Sequence, residues 1–294
     1  IGCVRLICFL FLPILVSAQG RFTNVQIPLA SGSYTYSGCE PSIDIDPNNP
    51  NNIAVGSILD GYHYSEDSGK TWKAERLKSP YGVYGDPVLK FNGKGNVFYL
   101  HLSSYNKTSH LDRIVCQRAD DLKGKFNEGS YSKPNGGKVQ DKHWIVIDPE
   151  TDEIYMTWTQ FDAYNSSNPE DSSFIHFAKS SDDGETWTDP VRISIKGGDC
   201  LDGDDTVEGA MPALGREGML YTVWSGPHGL MLRSSADRGQ TWSPIEQMLF
   251  EHEGGWTIDV PDFYRSNGLP VFISDHNADS PHYGNLYLNW AIED

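Results

Sequence analysis

The chain has 294 residues and carries 40 Asp and Glu against 23 Lys and Arg, a net charge of −17 near neutral pH. That balance argues against nucleic acid and anionic membrane surfaces as partners. With 29 Gly, 17 Pro and 12% aromatic residues, it is rich in both turn and strand formers, as in one large all-β domain or two small ones.

The chain opens on an apolar run, Ile1–Ser17, broken by a single Arg5 and followed by the small residues Ser17-Ala18. This pattern predicts a secretory signal over residues 1–19, with its start missing, and an exported, extracellular or periplasmic domain over residues 20–294. No second long apolar stretch follows, so no membrane insertion is expected. Export would permit one disulfide among Cys39, Cys116 and Cys200, with one thiol left over. Phe22–Leu29 is the candidate for a strand that closes a circular sheet array.

From residue 40 onward one unit recurs. Each begins with an acidic residue leading a buried-looking strand: Glu40-Pro41-Ser42, Asp86-Pro87-Val88, Asp141-Lys142-His143, Glu208-Gly209-Ala210 and, more loosely, Asp259-Val260-Pro261. An aromatic strand follows, as in Val97–His101, Ile154–Trp158, Leu220–Trp224 and Leu286–Trp290. The pattern Ser-x-Asp-x-Gly-x-Thr-Trp then appears without mismatch at Ser65–Trp72, Ser180–Trp187 and Ser235–Trp242. A degenerate copy spans Ala119–Phe126, so the copies recur every ~55–60 residues. The Asp can accept backbone N–H groups inside the turn, Gly supplies a positive φ, and Trp packs the turn on the sheet. These aspartates therefore read as structural.

Four antiparallel strands per unit make the blade of a β-propeller, here with Asp-box turns. The chain holds four complete units and half of a fifth, about four and a half blades, so a six-bladed parent and C-terminal truncation are expected.

The Asp-boxes, the blade order and the signal resemble the sialidase-like BNR/Asp-box repeat superfamily, and in particular exported bacterial BNR-repeat or exo-sialidase-like glycosyl hydrolases, over residues 35–294. The resemblance implies a secreted carbohydrate-active protein, a glycoside hydrolase acting on extracellular glycans. Thr206–Met211 is similar to the segment bearing the family's catalytic Glu, which makes Glu208 the first candidate. Tyr264–Gly268 is similar to a segment bearing one arginine of the family's carboxylate-binding triad, which makes Arg265 a substrate-binding candidate. Asp60 stands about where the acid would lie. Two departures argue against strict exo-sialidase activity: Glu40 replaces one triad arginine, and Trp224 stands where another would fall.

Propeller geometry adds its own expectation. First strands begin, and second strands end, at one face around the axis. Glu40, Asp86, Asp141, Glu208 and Asp259 should therefore converge at one mouth, with His101, Trp158, Trp224 and Trp290 just outside. Crowded carboxylates raise one another's pKa, as a general acid requires, so Glu208 would share acid and base work with Asp60, Asp86 or Asp141. Glu40, Arg113, Trp158, Trp224, Asp259 and Arg265 are the substrate-binding candidates. An acidic mouth ringed by aromatics suits neutral or cationic sugars. No cofactor is required, and no catalytic metal site is expected. The loop Asp199–Asp205 is acidic enough for a structural Ca²⁺, although its spacing misses the EF-hand pattern. The alternatives are a non-catalytic glycan-binding propeller and a cell-surface interaction scaffold.

Overall fold

In the computed structural model the described residues are 23–32, 38–104, 110–252, 254, 255, 258, 260, 261 and 266–292. The expected signal, Asp259 and Arg265 lie outside them. The first sheet comprises β1 (Ser42–Ile45), β2 (Ile53–Ser57), β3 (Gly61–Ser65) and β4 (Lys73–Arg76). The second comprises β5 (Val88–Phe91), β6 (Val97–Ser104), β7 (His110–Ala119) and β8 (Ser130–Tyr131). The third runs β9 (Val139–Ile147), β10 (Ile154–Phe161), β11 (Ser173–Ser180) and β12 (Val191–Arg192). The fourth runs β13 (Glu208–Leu214), β14 (Leu220–Ser225), β15 (Leu230–Ser235) and β16 (Gln247–Phe250). β17 (Val271–Ser274) and β18 (Leu286–Asn289) pair as a fifth, two-stranded sheet. All neighbours are antiparallel and sequential.

The innermost strands touch in the order β1, β5, β9, β13, β17, so the sheets fan about one axis as the blades of a β-propeller. Apolar layers fill each gap between blades. Tyr62, Leu89 and Tyr99 lie between the first and second, and Phe98, Leu100 and Met156 between the second and third. Tyr155, Phe177 and Trp224 fill the next gap, and Val223, Phe272 and Leu288 the last. Burying each of the larger side chains contributes about 1.5–3 kcal/mol. Residues 23–29, the described part of the expected closing strand, pair with none of these sheets.

The repeated turns follow β3, β11 and β15, at the end opposite the starts of the first strands. In the turn after β11, Ser180 Oγ donates to Asp182 Oδ1 at 2.8 Å, and the Thr186 N–H donates to the same oxygen at 2.9 Å. Thr186 Oγ1 donates to Asp182 Oδ2 at 2.6 Å, and Gly184 takes φ +78°. The turns at Asp67 and Asp237 repeat these bonds, which hold both carboxyls down at about 2. Asp182→Ala should therefore lower stability by about 1–2 kcal/mol, discounted for exposure, without changing any ligand response. Thermal melts beside a binding assay check this, and a loss of ligand response would contradict the structural role.

Among the described residues Cys39, Cys116 and Cys200 are unpaired, with Cys116 and Cys200 buried and Cys39 exposed, so the disulfide that export would permit is not formed among them. Cys116 faces the core between two blades, where burial pushes its thiol up to about 12. Among the described residues no helix is long and apolar enough to cross a membrane.

Candidate functional site: a carboxylate cluster around Lys142

First strands start at one end of the blades, and there the chain repeats a local irregularity. Glu40, Asp86 and Lys142 take φ +47°, +49° and +43°, and Gly209 takes +70° at the equivalent place. Each sits two residues before an equivalent pair of its blade, Ser42↔Gly56, Val88↔Leu100, Trp144↔Thr157 and Met211↔Val223, the last two being the first pairs past an irregularity. The sequence alignment of Asp141 and Glu208 with Glu40 and Asp86 is thus one residue out of register. The cause is a β-bulge in β9 and another in β13, each adding one residue against its partner strand. Lys142 therefore occupies the place that Asp86 holds one blade earlier.

The bulges bring both sets of side chains to one point. Lys142 Nζ lies 3.0 Å from Asp86 Oδ2, and these side chains keep only 19% and 15% exposure. Asp86 also hydrogen-bonds Glu40, and Lys142 lies in the field of Asp86, Asp141, Glu40 and Glu208. Asp141 and Glu208 are buried. Asp141 Oδ1 accepts the Lys142 N–H at 2.8 Å, which fixes the carboxyl beside the bulge. Glu208 is held between two pegs across the blade boundary. Thr159 Oγ1 donates to the Val207 carbonyl at 3.1 Å, and Thr157 Oγ1 to the Ala210 carbonyl at 2.6 Å.

The electrostatics separate the two aspartates. Burial alone would raise Asp86, but the Lys142 charge, His143 and the Glu40 hydrogen bond together hold it below the usual carboxylate range. Asp141 goes the other way: burial and then the Asp86 charge push it up to about 8, against the opposing pull of Lys142. Lys142 itself is raised, because the four carboxylates outweigh the cost of its burial, and it stays charged. One neutral and one ionised carboxyl therefore sit around a fixed cation. His143, behind them, is pushed down to about 4 by burial and stays neutral as packing.

Two further residues rim the cluster. Tyr164 donates to Asp202 Oδ2 at 2.6 Å, and the Asp202 charge reaches Asp141. Sequence reasoning missed Lys142, Tyr164 and Asp202 as site residues. The only available signals were a lysine next to Asp141 and an acidic loop, which suggested a cation instead.

Several expected roles do not match where the side chains lie. Asp60 is at the same end but is clamped by Arg76, whose Nη2 and Nε lie 2.6 and 2.9 Å from Asp60 Oδ2. Arg113 is committed to Asp112 at 2.6 Å and stacks over Tyr131 at 4.3 Å. Trp158 and Trp224 are corrected from mouth to core: both are buried, and Trp158 Nε1 donates to Gln140 Oε1 at 2.5 Å. His101 is buried as well, while Trp290 packs on Phe250. In the acidic loop, Asp199 accepts from Thr206 Oγ1 at 2.9 Å. Among the described residues no three His, Cys, Asp or Glu side chains group to hold a metal ion.

No protein-family model matches the chain, and no curated protein matches it in sequence. Solved structures do match in fold. An α-L-arabinofuranosidase of Fusarium graminearum, solved with an iminosugar inhibitor, aligns at TM-score 0.56 and 12% identity, over 85% of this chain and 73% of its own. A protein of unknown function from Dyadobacter fermentans aligns at TM-score 0.54 and 15% identity, over 79% and 73%. A microbial sialidase, Hz136, aligns at TM-score 0.34 and 14% identity, over 76% and 57%. The first two alignments show a shared fold.

Proposed function

We propose that this is an exported glycoside hydrolase of the sialidase-like, Asp-box type, acting on extracellular glycans through the Lys142 cluster. The supporting observation is the separation of two neighbouring carboxyls, Asp141 neutral and Asp86 ionised, around one buried cation. Pairs of titratable groups whose surroundings drive their pKa values apart are the arrangement that acid–base chemistry needs at neutral pH. In this reading Asp141 protonates the departing glycosidic oxygen. Asp86 or Glu208 supplies the opposing carboxylate, which activates water or meets the oxocarbenium-like carbon. Lys142 keeps that carboxylate ionised and fixes its orientation. A sialic acid carboxylate would find four acids here, with Arg113 turned to Asp112, so the reading favours sugars without a carboxylate.

The test is product analysis by mass spectrometry on neutral, amino, uronate and sialylated oligosaccharides, with the intact protein and Asp141→Asn. New product masses from the intact protein and none from the variant are expected. Binding of an oligosaccharide with no cleavage by either would replace this reading with a glycan-binding propeller.

A further inference from the structure

A cavity of about 440 Å³ opens at the end of the blades that carries the acid cluster. Its walls are three loops: residues 162–172 between β10 and β11, residues 193–207 ahead of β13, and the β14–β15 turn at Pro227 and His228. The first two are tied together by the antiparallel bridges Ser166↔Cys200 and Ser173↔Gly198. A Cβ on Gly198 would collide with the Asp205 carbonyl, so the glycine lets the two loops approach this closely. Ser166 Oγ donates to Asp171 Oδ2 at 2.5 Å, and Asp199 N donates to the Asp205 carbonyl at 2.8 Å, so the walls are internally braced. The same two loops carry Tyr164 and Asp202, whose hydrogen bond rims the acid cluster. The loops that wall the cavity therefore also reach the cluster.

The lining has a definite chemistry. Pro169, Leu201 and Pro227 offer apolar surface, while Asn168, His228 and the serines offer hydrogen-bonding groups. Asp171, Asp199 and Asp205 add three carboxylates, and no Lys or Arg lines the cavity. Among the described residues no cationic side chain ion-pairs with any of the three. A mixed apolar and hydroxyl-binding hollow fits a sugar ring, and uncompensated negative charge selects its sign.

We propose that this cavity is a second sugar subsite, contiguous with the Lys142 cluster, that takes an amino-bearing ring in preference to any uronate. The inference rests on reading the cluster as a carbohydrate site, and it narrows the substrate to oligosaccharides of at least two rings carrying no negative charge here.

The test measures binding to the full chain by native mass spectrometry at low salt and about pH 6, where the probe amines are protonated. The probes are a glucosamine trimer and a galacturonic acid trimer. Asp205→Lys reverses one exposed charge in the cavity, and Glu217→Lys makes the same change in the exposed β13–β14 turn at the opposite end. The glucosamine trimer should bind the parent, with affinity about tenfold weaker in Asp205→Lys and changed less than about twofold in Glu217→Lys. The galacturonate trimer should bind the parent at least about tenfold more weakly. Equal loss in both variants, no loss in either, or equal binding of the two probes would overturn the subsite. Glycan cleavage that persists alongside such a result would sink the subsite alone. Binding as expected without cleavage of any glycan would sink the hydrolase reading and leave the subsite standing.

Discussion

Lys142→Met should destabilise the protein by about 3–5 kcal/mol near neutral pH, the usual cost of removing one partner from a buried charge group. Lys142 is the cation that faces Asp86, Asp141, Glu40 and Glu208, and its side chain is largely covered. Met fills the space of the aliphatic stem but leaves the carboxylates repelling one another in a poorly solvated place. The penalty should depend on pH in a defined direction. Without Lys142 the Asp86 carboxyl loses the largest influence holding it down, so its folded pKa rises above the unfolded value. A group raised in this way stabilises only at low pH, and that contribution fades as pH climbs through its folded pKa. The variant should thus recover stability relative to the parent as pH falls toward about 4. Urea denaturation of both proteins at acid and neutral pH checks this. A loss that does not vary with pH would mean that Lys142 acts by packing alone.

Asp141→Asn should have two effects of opposite value. Hydrolysis should fall by about 10²–10⁴-fold, because the amide cannot deliver a proton to the leaving oxygen. Stability near neutral pH should rise. The folded Asp141 carboxyl lies at about 8, against a usual value of 3.8, so the native state binds the extra proton between those limits. The stability that this proton represents is complete below about pH 4 and is lost as pH rises through about 8. Asn is neutral throughout and keeps an acceptor for the Lys142 N–H. Each unit of displacement corresponds to about 1.4 kcal/mol, so relief of even a single unit should raise Tm by a few degrees. Melting curves at acid and alkaline pH, read beside activity, check both halves. A variant that is less stable at alkaline pH would contradict the buried, protonated assignment.

The blades were legible in the sequence because their signals are local. The Ser-x-Asp-x-Gly-x-Thr turn makes its hydrogen bonds within the eight residues of the motif, so three sound copies marked three blades before any contact was known. The convergence of Glu40, Asp86, Asp141 and Glu208 was legible too, since propeller topology alone brings strand starts together. The register was not. A bulge depends on how a strand meets its partner, and the extra residues in β9 and β13 hid the equivalence of Lys142 with Asp86. Trp158 and Trp224 misled for a different reason. Their strands are buried on both faces, so alternation carried no signal of inside and outside. Asp60 found its partner Arg76 across the β3–β4 hairpin, a contact that no spacing rule announces. Tyr164 and Asp202 meet between loops of different blades, which is a tertiary event.

The central claim is that a neutral Asp141 and an ionised Asp86, split by Lys142, perform acid–base chemistry on a glycosidic bond. The pH dependence of hydrolysis of a neutral oligosaccharide tests it most directly. The account predicts a bell, with an alkaline limb near about 8 set by loss of the Asp141 proton and an acid limb below the usual carboxylate range set by Asp86. Hydrolysis that runs undiminished well above pH 8, or whose alkaline limb survives unchanged in Asp141→Asn, would contradict it.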